Sequence, residues 1–280
     1  MVRYFQFLGI IVLVMGSFFY SERVSTTSLL SDSLLVQIKD KVSLYSVDVV
    51  EASVTKNTII PGKNGSKVNV NKSYKNMKEI GYFDDKMLVY DKVLVKDPLS
   101  KNTNKYVVGG NSRERAVSLV FVVSNGSDLT SIVSALNDAA VRGTFFVTSD
   151  FMEDNNHLIM SLISSGHTVG NLGDNGDYSS SNFVWMKTMI VNSGQKYNYC
   201  YVSKENRDVL NSCNLQKSYT IMPTEASNEI PYIDTKKLLH NGSIISYKVN
   251  GVLSSEIENI INYVVGRGYK IESLEKLLKE

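Results

Sequence analysis

Residues 142–171 read RGTFFVTSDFMEDNNHLIMSLISSGHTVGN, and their pattern decides the fold class. GTFFVTS is a short apolar run of the kind a strand buried on both faces needs. HLIMSLISSG is long enough for a helix and stops at Gly166, a natural helix end. HTVGNL then returns to strand composition. Working outward, AVSLVFVV from Ala116 predicts a fully buried strand, and LTSIVSALNDAAV predicts an amphipathic helix joining it to GTFFVTS. Downstream, NFVWMKTMIVNSG predicts a helix, and YNYCYVS, SYTIMP and GSIISYKVN predict strands. SSEIENIINYVVGRGYKIESLEKLLKE closes the chain as helix, strand and helix. Strands alternating with helices imply an α/β fold with a parallel sheet, open or closed into a barrel.

The bulk composition narrows the function. Lys and Arg number 30 against 28 Asp and Glu, so no polyanion-binding stripe is expected and nucleic acid is excluded as a partner. The segment 4–20, YFQFLGIIVLVMGSFFY, is apolar except for Gln6 and Ser17 and follows Arg3. Its length is at the lower limit of a membrane span, and no convincing small-x-small cleavage site follows, so residues 1–23 are expected to be an uncleaved signal anchor, with a cleaved signal as the alternative. Arg3 keeps the amino terminus in the cytoplasm and places the rest outside, giving a single-pass protein of the cell membrane. Residues 24–47 have no strong period and are expected to form a stalk. Residues 48–112 are expected to be a small β-rich module or extension, with a hairpin at PGKNG, a short helix at SYKNMKEIGYF and a strand at DKMLVYDKVLV. The sequons at Asn64 and Asn71 matter only in a glycosylating cell. Residues 113–280 form the α/β domain. Export places Cys200 and Cys213 in an oxidising compartment, where they form either a disulfide or two small buried apolar residues.

The stretch RGTFFVTSDFMEDNNHLIMSLISSGHTVGN, with IINYVVGRGYKIESLEKLL at the C-terminus, resembles the polysaccharide deacetylases of the NodB-homology type over residues 116–280. The resemblance implies a deformed (β/α) barrel with fewer than eight strands, preceded here by the anchor and the β-rich module. In that family an Asp and two His hold a divalent metal, a second Asp is the base and a later His the acid of N-acetyl sugar hydrolysis. The matching positions here are emptied of that chemistry. Thr-Phe-Asp-Asp-Gly falls on VFVVS, so Val122 and Val123 stand where the base and a metal ligand belong. The His-containing motif falls on NLGDNG: Asn171 is kept, while Leu172 and Gly176 replace the two ligands. Asn198 lies about where an Arg belongs, and Lys248, or its neighbour Tyr247, replaces the acid.

Other residues do not restore the site in sequence. His167 matches a structural His of the family, and His157 and His240 are isolated. Asp174 and Asp177, with Asp128, are weighed as a rebuilt metal or acid/base site against ordinary turn chemistry. Ser124, Asn125 and Ser127 have no assignable base. Trp185, Tyr178, Tyr199 and Tyr201 offer faces for sugar stacking. The apolar stripe of Phe183, Met186 and Ile190 favours core packing for Trp185, and Tyr178 is the better groove candidate. The expectation is a cell-envelope pseudoenzyme that binds wall glycan or a protein partner, with no cofactor. Alternatives are an active N-deacetylase carrying a divalent metal such as zinc in a rebuilt site, and a structural envelope scaffold.

Overall fold

The computed structural model describes residues 11–19, 32–111, 113, 115–124, 129–173, 178 and 181–280. The chain divides into two compact units, one from residues 1–49 and 65–94, the other from 50–64 and 95–280.

The larger unit is built on one mostly parallel sheet. Its strands are β1 (Ser53–Val54), β2 (Thr58–Ile60), β5 (Tyr106–Val107), β6 (Ala116–Val122), β7 (Thr144–Val147), β8 (Thr168–Asn171), β9 (Tyr199–Tyr201), β10 (Tyr219–Ile221), β11 (Thr224–Glu225), β12 (Ile244–Lys248) and β13 (Lys270–Ile271). The remaining two, β3 (Gly65–Val68) and β4 (Tyr90–Val93), pair in the smaller unit. The main order is β1-β2-β5-β10-β9-β8-β7-β6-β12-β11, with β13 added beside β6. Every pairing except β1 with β2 is parallel.

The sheet curls, as the connection between β10 and β11 demands. These strands sit six positions apart in the order, yet only Met222 and Pro223 separate Ile221 from Thr224. Three Cα steps span at most about 11 Å, so the β11 edge must come round to β10. Residues alternate accordingly along β6. Val117, Leu119, Phe121 and Val123 pack outward with Ile132, Leu136, Ile257 and Ile260 of the covering helices. Ala116 and Val120 pack with Phe146, Tyr199, Tyr219 and Ile244 inside the curl. Each fully buried Leu, Val or Phe here contributes about 1.5–3 kcal/mol, which is why AVSLVFVV shows no polar alternation. Inside the curl, a Cβ on Gly170 would lie 2.4 Å from the Phe146 ring, so the opposing β7 ring requires glycine there.

The predicted helices and strands from Ala116 onward all appear, including the helix Asn156–Ser164 that ends before Gly166 at φ +86°. Upstream, three expectations are corrected. The described part of the expected stalk 24–47 is not featureless: Ser33–Tyr45 is a helix capped by Asp32, with Leu34, Leu35 and Ile38 buried against Tyr74 and Met77. That stripe is helical in period, but the interleaved Ser and Lys residues dilute it. PGKNG does not make a hairpin. β2 turns back onto β1 through residues 55–57, and β3 pairs with β4, so the runs flanking the glycines join different sheets. Residues 48–112 are therefore not one module, because 50–64 and 95–111 extend the main sheet through β1, β2 and β5. The predicted short helix is found at Val70–Met77 and the predicted strand at β4. Residues 4–10 and 20 of the apolar segment 4–20 lie outside the described residues; residues 11–19 are helical and exposed. Among the described residues no helix is long and apolar enough to cross a membrane.

Two internal fixtures brace the larger unit. Cys200 on β9 and Cys213 on the helix Arg207–Leu215 form a disulfide, with Cα atoms 6.5 Å apart and a sequence separation of 13. His167 is buried beneath the sheet. Its Nδ1 accepts the Gly143 N–H at 3.1 Å, so Nε2 carries the proton and faces Asn137 Oδ1 at 3.2 Å. Burial, and then the Arg142 guanidinium, lower its pKa from 6.5 to about 4.

Reducing the disulfide, or replacing Cys213 by Ser, is expected to lower the unfolding free energy by about 2–4 kcal/mol in urea titrations of the full chain. Gly170→Ala is expected to cost about 1–3 kcal/mol in the same assay by overpacking against Phe146. The His167 contribution has a definite sign. The unfolded imidazole takes up a proton below about pH 6.5, whereas the folded one does so only near pH 4. Stability from this residue is therefore complete above pH 6.5 and is lost as the pH falls towards 4. The urea midpoint should drop across that window, and His167→Gln should flatten the drop.

Candidate functional site

The C-terminal ends of the strands surround a cavity of about 490 Å³. One wall is apolar. Val122 ends β6 and faces the cavity, and Ala226 flanks it, with the edge of Tyr247 nearby. Tyr247 is otherwise buried, stacked on Phe121 at 6.0 Å and hydrogen-bonded to Thr235 Oγ1 at 2.8 Å.

The polar wall comes from β9, β11 and β12. Tyr201 ends β9, rests on the Phe146 ring at 5.4 Å and crosses the mouth. Its hydroxyl donates to Glu225 Oε1 at 2.5 Å and lies 3.3 Å from Ser246 Oγ. With the phenolic proton given to Glu225, Ser246 is the donor in the second bond. Burial, and then the adjacent Glu225 carboxylate, push the Tyr201 hydroxyl far above its ordinary pKa, so near neutral pH it is a hydrogen-bond donor and not a base. Lys248 ends β12, exposed at the rim and paired in register with Val122. Residues 226–229, with Glu229, complete the opening.

The sequence candidates scatter. Of the degenerate family positions among the described residues, only Val122 and Lys248 line the cavity. Val123 points the other way, fully buried in the helix-facing core. Leu172 packs against the interior aromatics. Asn198 is buried, and its Oδ1 has no partner among the described residues. Asn171 is buried too, its Oδ1 accepting the Gly173 N–H at 2.7 Å, so it shapes the turn.

Two proposed groove residues are corrected by burial. Tyr199 is 1% exposed, inside the curl among Tyr219 and Phe146. Tyr178 is 4% exposed, and its hydroxyl bonds the Tyr201 carbonyl at 2.8 Å, clasping the end of β9. Trp185, expected in the core, is 39% exposed on the outer side of the helix Ser181–Asn192, whose Phe183, Met186 and Ile190 face inward. Gly176, Asn125, Ser127, Asp128, Asp174 and Asp177 lie outside the described residues. Glu225 and Ser246 were not singled out in the sequence. Ser246 could have been found as the residue two before Lys248, on the same strand face, whereas Glu225 carries no motif.

The family's divalent metal does not fit the described residues. Valine and leucine offer no donor at the matched positions, and among the described residues no three His, Cys, Asp or Glu side chains gather as a metal requires. Among the described residues the Ser246 hydroxyl bonds the Tyr201 hydroxyl and no base, so the arrangement presents hydrogen-bonding groups and not an activated nucleophile.

No protein-family model matches the chain. It is 24% identical over 275 residues to the uncharacterized protein YlxY of Bacillus subtilis (strain 168), covering 91% of this chain and 86% of that one. Among solved structures it is similar to BA3943 of Bacillus anthracis, a CE4 family pseudoenzyme (TM-score 0.66, 21% identity, 89% of this chain and 96% of that one). A mutant of that pseudoenzyme with restored enzymatic activity superposes equally well, at TM-score 0.67. PdaA of Bacillus subtilis, a family 4 carbohydrate esterase, follows at TM-score 0.54 and 19% identity, over 64% of this chain and 87% of that one. The curled α/β sheet of this chain is thus the fold of the CE4 carbohydrate esterases, and a pseudoenzyme of that family is among its structural neighbours.

Proposed function

We propose that this chain is an exported, membrane-anchored, catalytically degenerate polysaccharide-deacetylase-like protein of the cell envelope that binds wall glycan in the mouth of its curled sheet. The observation that carries the reading is the cavity itself. It persists at the strand ends although Val122 stands where a proton acceptor belongs and Val123 is packed in the core. Amide hydrolysis needs a polarised carbonyl and an activated water, and neither matched valine can serve either end. A pseudoenzyme among the structural neighbours supports the same reading, as does a disulfide, which suits an oxidising compartment. The apolar segment 4–20 supports anchoring, and Arg3 before it supports an outside location for the folded part.

The test uses the full chain purified in detergent. Elemental analysis for zinc, cobalt and nickel, and acetate release from N-acetylated oligosaccharide and peptidoglycan, are expected to be negative, while the protein is retained on insoluble peptidoglycan. Stoichiometric metal with acetate release that disappears in Asp174→Asn or Asp177→Asn would establish a rebuilt site and overturn the reading.

A further inference from the structure

The mouth carries apolar and polar groups on separate parts of its lining. The positions that would handle an acetamide carbonyl are apolar, and the polar groups sit on the opposite wall in an ordered array. Glu225 is fixed by the Tyr201 hydroxyl on Oε1, and no partner is found for Oε2 among the described residues. Tyr201 is itself held by Ser246 and by the Phe146 ring, so three strands converge to aim one carboxylate at the cavity. Lys248 makes no ion pair with Glu225 among the described residues. Glu225 and Glu229 against Lys248 leave the lining with two carboxylates and one ammonium. Val122 and Ala226 supply an apolar face of the sort that covers the C–H side of a sugar ring.

We infer that the cavity selects an amino sugar with a free amine over its N-acetyl form, Glu225 receiving the sugar ammonium while Tyr201 holds the carboxylate in place. This rests on the reading that the mouth binds glycan, and it names the substituent. A carboxylate accepts a charge-assisted hydrogen bond from an ammonium, whereas an acetamide offers it one neutral N–H and brings an acceptor carbonyl and a methyl group beside it. The class of ligand is therefore a glycan that an N-deacetylation has already acted on.

The experiment compares binding of a β-1,4-linked glucosamine tetramer with the tetra-N-acetyl form to the full chain in detergent, by calorimetry at neutral pH and low salt. The amine form is expected to bind about tenfold or more tightly, the scale of a hydrogen bond to a charged group. Glu225→Gln should abolish the preference, and circular dichroism would check that this exposed substitution leaves the fold intact. Tyr201→Phe should weaken it by releasing the carboxylate. Lys248→Ala should strengthen amine binding by removing a like charge, a gain that a misfolded variant cannot mimic. Equal or tighter binding of the acetylated tetramer would overturn the inference and leave the glycan reading standing. Binding of neither tetramer would overturn both.

Discussion

The larger unit depends on the need of a parallel sheet to hide both faces. Helices cover the outer face, and the sheet covers its own inner face by curling until the β11 edge meets β10 across Met222 and Pro223. β6 is central to this arrangement because its odd residues belong to one core and its even residues to the other. Phe146, Tyr199 and Tyr219 fill the curl, and glycine at position 170 makes room for the first of them. The cavity is what remains above this aromatic plug, where the strands end and the interior layer stops.

That geometry sets what the ends of the buried strands can carry. An Asp at the end of a buried strand is costly unless a metal or a partner offsets its desolvation. Valine at 122 and 123 carries no such cost, and Val123 adds apolar burial to the helix-facing core. The polar groups that remain, Tyr201, Glu225 and Ser246, stand where the sheet closes on itself. There they tie β9 to β11 and β12 across the opening, and this brace has a structural use even before any ligand is considered.

The disulfide and the clasp by Tyr178 act on the same strand. Cys200 fixes β9 from outside through the helix Arg207–Leu215, and Tyr178 bonds the backbone of Tyr201. The strand that delivers the mouth's central hydroxyl is thus held by a side chain at Cys200 and by its backbone at Tyr201, which limits the ways that hydroxyl can point.

Period and composition by themselves determined the α/β class and the order of elements from Ala116 onward, because a strand buried on both faces and a helix stripe each leave a local signature. What only the tertiary structure decided were facts about distant neighbours. PGKNG looked like a hairpin because turn chemistry is local, but the partners of its flanking runs are chosen by the sheets they enter. The helix Ser33–Tyr45 was concealed because its burial comes from Tyr74 and Met77. Tyr178 and Tyr199 read as exposed aromatics and Trp185 as core, since sequence does not say which side of an element is covered. Glu225 entered the site only because the curl carries a two-residue strand to face β9 from across the mouth, a juxtaposition with no trace in the residues around it.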